Sequence, residues 1–194
     1  MRVYKNIFNQ IISPENLFLA WDKFKNGKQS KQDVQKFEWN LEENIFRLHR
    51  ELKSLTHKHS AYTSFYIREP KPRHINKASV RDRILHHAVF NILNPIFEPT
   101  FIANSFSCRI GKGTHKGVNV LEKGARKVSR NYSGACFALK CDIRKFFYSV
   151  NHQILKDILA RWIKDAQALK LCAEIIDSFR AENPRERECV QEFR

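Results

Sequence analysis

The chain has 194 residues, of which 42% are hydrophobic, and its net charge is +15, from 35 Lys and Arg against 20 Asp and Glu. This length suits one domain with a hydrophobic core, or one and a half small ones. No apolar run is long enough to cross a membrane, and residues 1–10 lack the apolar segment of a signal peptide. The positive charge favours nucleic acid as a partner over a surface that is basic for solubility alone.

The cysteine and histidine patterns argue against a zinc site. The sequence contains five cysteines: Cys108, Cys136, Cys141, Cys172 and Cys189. None forms a C-x-x-C pair, and no histidine lies at zinc-ligand spacing from two of them. We therefore expect reduced, mostly buried thiols in a cytoplasmic protein. His57 and His59 flank a lysine and should be exposed, whereas His86 and His87 fit packing or capping positions on a helix.

The first elements in chain order are helices. Ser13 and Pro14 form a typical helix start, and that helix should run to about Lys25. Apolar residues then recur every three or four positions from Val34 to Leu55, which predicts one long helix with a packed face and a solvated face.

A hairpin and another helix should follow. Residues 61–77 begin and end with strand-forming side chains, and Pro-Lys-Pro at 70–72 interrupts them, so we predict a hairpin with a basic tip. Ser79 can cap the next helix, which should span residues 80–94 and bend or stop near Pro95.

The second half of the chain should alternate strands and helices. The expected elements are a short strand at 105–110, a helix from 114 to about 131, a strongly apolar strand at 135–141, and helices at 152–163 and 165–179. Asn151 can cap the first of the last two helices. Residues 180–194 hold four arginines and four glutamates without a clear period. The predicted class is α+β.

The most informative stretch chemically is Ala138-Leu-Lys-Cys-Asp-Ile-Arg-Lys-Phe-Phe-Tyr-Ser-Val-Asn-His152. It predicts a buried strand, an aspartate at the end of that strand, a turn with two aromatic residues, and a capped helix. A carboxylate there can hold Mg²⁺, which prefers one or two carboxylates together with phosphate oxygens and water. Without further context, an aspartate in this position is more often structural or a helix cap.

Asp142-Ile-Arg-Lys-Phe-Phe147, followed by Val-Asn-His152, resembles the first palm motif of reverse transcriptases. The resemblance is to the bacterial branch that includes group II intron and diversity-generating retroelement enzymes. It implies that Asp142 ligates Mg²⁺, or Mn²⁺ in its place, with help from the Ile143 carbonyl. It also implies that Phe147 lies under the incoming sugar and excludes a 2′-hydroxyl; without the motif, core packing would be the simpler role for Phe147.

Two earlier blocks, Arg68-Glu-Pro-Lys-Pro-Arg-His-Ile75 and Ala78-Ser-Val-Arg-Asp-Arg-Ile-Leu-His-His87, resemble the fingers hairpin and the helix that follows it in this family. The resemblance implies that Lys71 and Arg73 bind the triphosphate of an incoming deoxynucleotide, since their charges and donors suit phosphate oxygens. Arg81 is a candidate for contact with the template backbone, with pairing to nearby carboxylates as the alternative. A structural role is favoured for its neighbours Asp82 and Arg83.

A third block, Ser105-Phe-Ser-Cys-Arg-Ile-Gly-Lys-Gly-Thr-His115, is similar to the family's next motif, in which a turn of small residues contacts the template. The glycines allow close approach of the backbone to a phosphate, and the following helix points its first amides outward. Seven basic residues and one acidic residue lie between positions 109 and 130. Arg109, Lys112 and Lys116 are therefore candidate nucleic-acid contacts.

The resemblance implies the fingers and a partial palm of the right-hand polymerase fold, with a mixed or antiparallel sheet and flanking helices. The regions would be an N-terminal helical region at 1–59, fingers at 60–133, a partial palm at 134–179 and a tail outside the family pattern at 180–194. The family also needs carboxylates from a later Tyr-x-Asp-Asp hairpin, and this sequence has no Asp-Asp pair. A frameshift near codon 180 or a truncation of the gene would explain the difference.

The leading interpretation is an RNA-directed DNA polymerase by family, which extends a primer 3′-hydroxyl with deoxynucleotides on an RNA template by two-metal catalysis. This chain alone is expected to be an inactive fragment. Its partners would be template RNA, a DNA or RNA primer, a deoxynucleotide and an accessory protein of a retroelement, without a membrane. The alternative is an RNA-binding, maturase-like module or remnant without chemistry, and a basic structural protein is a third interpretation.

Overall fold

The computed structural model describes residues 3–143 and 146–179. Its elements are α1 (Phe8–Ile12), α2 (Pro14–Lys25), α3 (Gln32–Glu38), α4 (Leu41–Lys53), β1 (Thr63–Ile67), β2 (Arg73–Lys77), α5 (Val80–Phe97), α6 (Thr114–Val128), α7 (Phe146–Ser149), α8 (His152–Trp162) and α9 (Ala166–Ser178). They form two compact units. The helical unit comprises the chain up to residue 93 and from 147 onward, and the central unit comprises residues 94–146.

The α+β class predicted from the sequence is confirmed in general terms. The described residues are mostly helical and contain one two-stranded antiparallel sheet. The polymerase fold and the four predicted regions stay predictions. No helix in the described part of the chain is long and apolar enough to span a membrane.

The hydrophobic core lies in the helical unit, where α1 packs against α2, α4 and α9. The largest fully buried apolar side chains are Trp21, Phe24, Ile11, Leu17, Ile45, Leu48, Leu52, Ile84, Leu85, Ile163 and Val34. Burial of each such side chain contributes about 1.5–3 kcal/mol. The helix predicted at Ser13 is confirmed, because the Ser13 hydroxyl accepts a hydrogen bond from the Asn16 amide and α2 starts at the next residue.

The single long helix expected from Val34 to Leu55 is wrong, since the chain forms α3 and α4 with a break between them. Asn40 lies outside the helical region, with φ −120° and ψ 46°. The Asn44 side-chain amide donates to the Phe37 carbonyl at 3.0 Å, which satisfies an acceptor that the end of α3 leaves free. The apolar period continues across the break, so the hydrophobic pattern alone does not reveal it.

The predicted hairpin is confirmed. β1 and β2 are antiparallel, with Thr63 opposite Lys77 and Ile67 opposite Arg73. Every residue of β1 is exposed, so the hairpin has no core of its own. Ahead of it, the Tyr62 hydroxyl lies 3.2 Å from the Ser178 hydroxyl, which ties the start of the hairpin to the end of α9.

The helix after the hairpin is longer than predicted. Ser79 caps it as expected, because its hydroxyl accepts a hydrogen bond from the Asp82 amide. The helix passes Pro95 and continues to Phe97. A 3-10 turn at Glu98–Thr100 follows it. Proline removes a backbone donor and its ring crowds the carbonyl four residues earlier, and the helix extends only two residues beyond Pro95.

In the central unit, α6 forms as predicted but the two expected strands do not. Residues 105–110 form turns, and residues 135–141 are irregular and exposed, with Phe137 at 94% and Leu139 at 90% exposure. A strand needs a partner for its amides and carbonyls, and the sheet in the described residues consists of β1 and β2 alone. Apolar, strand-forming side chains are therefore insufficient to make these segments strands.

The expectation that most cysteines are buried is also wrong. Cys108, Cys136 and Cys141 are exposed, whereas Cys172 is buried in α9. Burial raises the pKa of the Cys172 thiol to about 11. Cys189 and the tail at 180–194, with the frameshift hypothesis, lie outside the described residues.

The last two helices start at side-chain caps and hold the N-terminal segment. Asn151 accepts hydrogen bonds from the first amides of α8, and Asp165 does the same for α9. The other Asp165 oxygen accepts a hydrogen bond from the Phe8 amide at 2.9 Å. Partial burial opposes ionisation, but these backbone amides hold the pKa of Asp165 below its ordinary value.

Replacement of Asp165 by alanine should therefore destabilise the helical unit. The variant loses the α9 cap and the link to α1, and we expect its free energy of unfolding to fall by about 1–2 kcal/mol in urea denaturation. Asp157→Ala is the control, because Asp157 makes an exposed bond to Gln153 within α8. Equal stability of both variants would contradict the anchoring role of Asp165.

Candidate nucleic-acid interface

The hairpin tip, residues 68–73, is an exposed basic segment of the helical unit. Every residue of it is exposed, including the predicted triphosphate contacts Lys71 and Arg73. In the described part of the chain, neither these two side chains nor Arg68 forms a hydrogen bond or ion pair. A cation without a partner can bind a phosphate without first breaking an ion pair. The tip is therefore suited to bind a polyanion.

Arg81, the next predicted contact, is held by its own protein. It donates to Glu51 Oε2 and to the Lys58 carbonyl, both at 2.7 Å. It also reaches the Ser60 hydroxyl at 3.3 Å. These contacts correspond to the alternative of pairing with nearby groups, and a role for Arg81 in nucleic-acid binding stays a prediction.

Asp82 occupies the centre of a buried polar cluster. Its side chain is fully buried and accepts hydrogen bonds from the Ser79 hydroxyl at 2.6 Å and the Ser60 amide at 3.1 Å. His57 Nε2 lies 3.5 Å from the other oxygen, a distance at the limit for a hydrogen bond. Burial opposes ionisation of Asp82, but His57, Ser79 and Ser60 outweigh it and hold the pKa well below its ordinary range.

Two histidines that were expected to be exposed belong to this cluster. The His57 side chain is 3% exposed. His59 stacks between Tyr62 and His86, and its Nε2 lies 3.2 Å from His86 Nε2. The prediction is wrong for His57, because its side chain is buried although polar residues flank it in the sequence. The capping pattern Ser79-x-x-Asp82 is a feature of the sequence that could have indicated a buried polar cluster at this helix start.

Arg83 has the structural role that the sequence favoured. It donates to Asp33 at 2.7 Å, and Lys77 reaches the same oxygen at 2.7 Å. The guanidinium also lies 4.8 Å from the Phe24 ring centre. Partial burial opposes ionisation, but the two cations hold the pKa of Asp33 below its ordinary value. These contacts connect α3 to β2 and α5.

In the central unit, Arg109 organises the turn that precedes α6. It is 10% exposed, donates to Glu98 Oε1 at 2.7 Å, and donates to the carbonyls of Ile102 and Ser105 at 2.9 and 3.1 Å. Its guanidinium also lies over the Phe101 ring. These contacts of Arg109 stabilise the turn. The side chain would have to break them in order to contact a nucleic acid.

Lys116 is exposed and Lys112 is partly exposed, and both contact backbone carbonyls. Lys112 reaches the Ala103 carbonyl, and Lys116 reaches that of Gly111 at 3.2 Å. Gly111 and Gly113 adopt positive φ angles of 69° and 105°, which side chains disfavour. The turn therefore needs glycine at these two positions. The close approach of backbone to phosphate predicted from the sequence would need glycine there as well.

Exposed cations on α6 are a feature that the list of predicted contacts missed. Lys123 and Lys127 lie four residues apart on one face, are exposed, and form no ion pair within the described residues. Arg126 pairs with Glu122 at 3.0 Å. The excess of basic residues between positions 109 and 130 was the signal that could have identified them.

Asp142 and Ile143, the predicted metal ligands, lie in an exposed irregular segment of the central unit. Ile143 is 65% exposed. No group of three or more His, Cys, Asp or Glu side chains within the described residues is arranged to hold a metal ion. One exposed carboxylate does not fit the two-ion arrangement that the resemblance implies, so we derive no catalytic step through a metal.

Phe147 lies in the short helix α7 and is 79% exposed. This exposure argues against core packing, the simpler role considered for it. Its predicted role beside a nucleotide sugar has no test in the structure.

The polar cluster makes stability depend on pH. Burial, with the nearby His59 as the next cause, lowers the pKa of His86 to about 4. Asp82 opposes this shift, and His87 and His57 add to it. Because the unfolded chain binds a proton near pH 6.5 and the folded chain does not, we expect the free energy of unfolding to fall as pH is lowered from about 6.5 towards 4.

Denaturation midpoints at pH 7.5, 6 and 5 would measure this slope. His86→Gln should flatten it, while His115→Gln, on the central unit, should keep it. An unchanged slope in the His86 variant would assign the pH dependence to another group, His87 first, since burial and nearby lysines also lower its pKa.

Comparison with known proteins gives limited similarity. No family model matches the chain. Nuclear intron maturase 1, mitochondrial, from Arabidopsis thaliana is 25% identical over 124 residues, which covers 55% of this chain and 16% of the relative. An uncharacterized 91 kDa protein in the cob intron of Schizosaccharomyces pombe is 26% identical over 106 residues, which covers 55% of this chain and 12% of the relative.

The chain thus corresponds to less than a fifth of the length of either relative. Both relatives are eukaryotic proteins named for introns, so the bacterial branch expected from the sequence is not specifically supported. The matches support relatedness to retroelement proteins of the reverse-transcriptase-related type.

Proposed function

We propose that the chain is an RNA-binding, maturase-like module. The observation that carries this proposal is the set of exposed cations at the hairpin tip, Arg68, Lys71 and Arg73, which have no hydrogen-bond or ion-pair partner within the described part of the chain. Lys123 and Lys127 on α6 share this property. Neutralising phosphates with such side chains releases counterions, which is the main sequence-independent source of affinity for nucleic acids.

The contrast with the other arginines strengthens this interpretation. Arg81, Arg83 and Arg109 each pair with a carboxylate at 2.7 Å. A phosphate would have to displace that carboxylate, whereas the tip cations have no carboxylate partner among the described residues. We therefore assign the first contact with RNA to the tip rather than to these arginines.

RNA is the proposed polyanion because both relatives are named for introns. An intron transcript offers single-stranded loops and bulges as well as helices, and proteins usually recognise such unpaired segments. The RNA sequence that is bound and the accessory protein stay open, and a cytoplasmic location stays a prediction, since the name of one relative includes "mitochondrial".

A second proposal is the polymerase function implied by Asp142 and Phe147. Both residues are exposed and therefore accessible to a ligand. In a complete active site, Asp142 would ligate Mg²⁺, Lys71 and Arg73 would bind the deoxynucleotide, and Phe147 would select its sugar. This function needs carboxylates that the described residues do not bring to Asp142, so RNA binding is the better supported proposal.

The double substitution Lys71→Ala with Arg73→Ala tests the first proposal. Fluorescence anisotropy with single-stranded RNA should show weaker binding, and the dependence of log affinity on log salt should become shallower by about 1.4, or about 0.7 for each lost phosphate contact. Lys25→Ala with Arg50→Ala is the matched control, because it removes the same charge from cations paired with Asp22 and Glu43. Equal effects of the two double variants would show that net charge matters and the tip does not.

Asp142→Ala separates the two proposed functions. RNA binding should be unchanged within about twofold, because a carboxylate repels phosphates and contributes no affinity. Primer extension by the chain, assayed with Mg²⁺, a primed RNA template and deoxynucleotides, should be undetectable before and after the substitution. Extension that depends on Asp142 would establish the polymerase and displace the non-catalytic proposal.

A further inference from the structure

The hairpin presents two faces of different chemistry. In the antiparallel register, Tyr66 is opposite His74 and Ser64 is opposite Asn76. Because side chains alternate along a strand, these four residues share one face. The Ser64 hydroxyl donates to Asn76 Oδ1 at 2.6 Å, so this face is joined across the strands by its own side chains.

An aromatic pair dominates this face. The Tyr66 and His74 ring centres are 4.7 Å apart, with 35° between the ring planes. Tyr66 is 62% exposed, although burial of so large an aromatic ring in a core would stabilise the fold. His74 packs against the tyrosine ring and restricts its rotamers in the free protein. The ring therefore loses less conformational entropy when a ligand binds.

The position of this ring pair along the hairpin points to its ligand. Arg68 and Lys71, two exposed cations of the hairpin tip, lie in the loop a few residues after Tyr66, whereas Arg73 begins β2 on the other face, opposite Ile67. An aromatic ring that is 62% exposed and lies near cations with no ion-pair partner in the described residues offers stacking and charge together. Nucleotides in a single strand combine a flat base and a phosphate in the same way.

We infer that Tyr66, supported by His74, is a stacking site for one base of single-stranded RNA whose phosphates reach the hairpin tip. This inference rests on the proposed RNA binding and adds a preference to it. A base in a duplex has both faces covered by its neighbours, so it cannot stack on Tyr66. The hairpin therefore selects unpaired RNA, whereas the cations alone would bind single strands and duplexes alike.

Tyr66→Ala removes the ring, and Tyr66→Phe keeps it without the hydroxyl. We expect Tyr66→Ala to weaken binding of an unstructured RNA of about twelve nucleotides by about tenfold, and Tyr66→Phe to remain within about twofold of the parent chain. Binding of a duplex of equal length, and the salt dependence of both ligands, should be unchanged in either variant, because stacking neutralises no phosphate. Phe65→Ala, on the opposite face of β1, is the matched control for loss of an exposed ring.

A second measurement reports stacking directly. A 2-aminopurine in the single strand should lose fluorescence on binding to the parent chain and to Tyr66→Phe, and should keep it with Tyr66→Ala. Thermal unfolding of each variant confirms that the hairpin substitutions leave the helical unit folded. If Tyr66→Ala binds single strands as tightly as the parent with unchanged quenching, the stacking site is wrong while RNA binding stands. If the parent chain binds neither RNA with salt dependence, the proposed function itself fails.

Discussion

The buried carboxylate of Asp82 is the constraint on which the arrangement of the helical unit depends. It receives the hydroxyl of Ser79 at the start of α5 and the amide of Ser60 in the segment that leads to the hairpin. Arg81 beside it reaches Glu51 at the end of α4. Three consecutive parts of the chain therefore meet at one ionised group. Since β1 is exposed along its whole length, the hairpin is positioned by this anchor, together with the Tyr62–Ser178 and Lys77–Asp33 contacts, and not by a core of its own.

The basic residues divide into two groups according to whether a carboxylate accompanies them. Those beside buried or partly buried acids, such as Arg83 and Arg109, stabilise turns and contacts between elements. Those at the hairpin tip, and Lys123 and Lys127 on α6, form no ion pair with any residue that the structure describes. The net charge of +15 thus includes cations that stabilise the fold and cations that are available to a ligand, and the proposed RNA binding depends on the second group.

Local signals in the sequence predicted local structure well. The Ser-Pro start of α2, the cap at Asn151 and the prolines between the hairpin strands each act within a few residues, and all three features formed. The strand expected at 135–141 failed because pairing depends on a partner elsewhere in the chain. For the same reason, the sequence suggested which cations suit phosphate but could not show that Arg109 is committed to Glu98, or that His57 is buried beside Asp82.

The exposed apolar residues of the central unit have a consequence for the behaviour of the chain in a cell. Val118, Leu121 and Val128 lie on one side of α6 with exposures of 57%, 68% and 69%, and Phe137 and Leu139 are almost fully exposed. Exposed apolar side chains of this kind are recognised by chaperones and promote self-association. The abundance of this chain would then depend on protein quality control as well as on its folding stability.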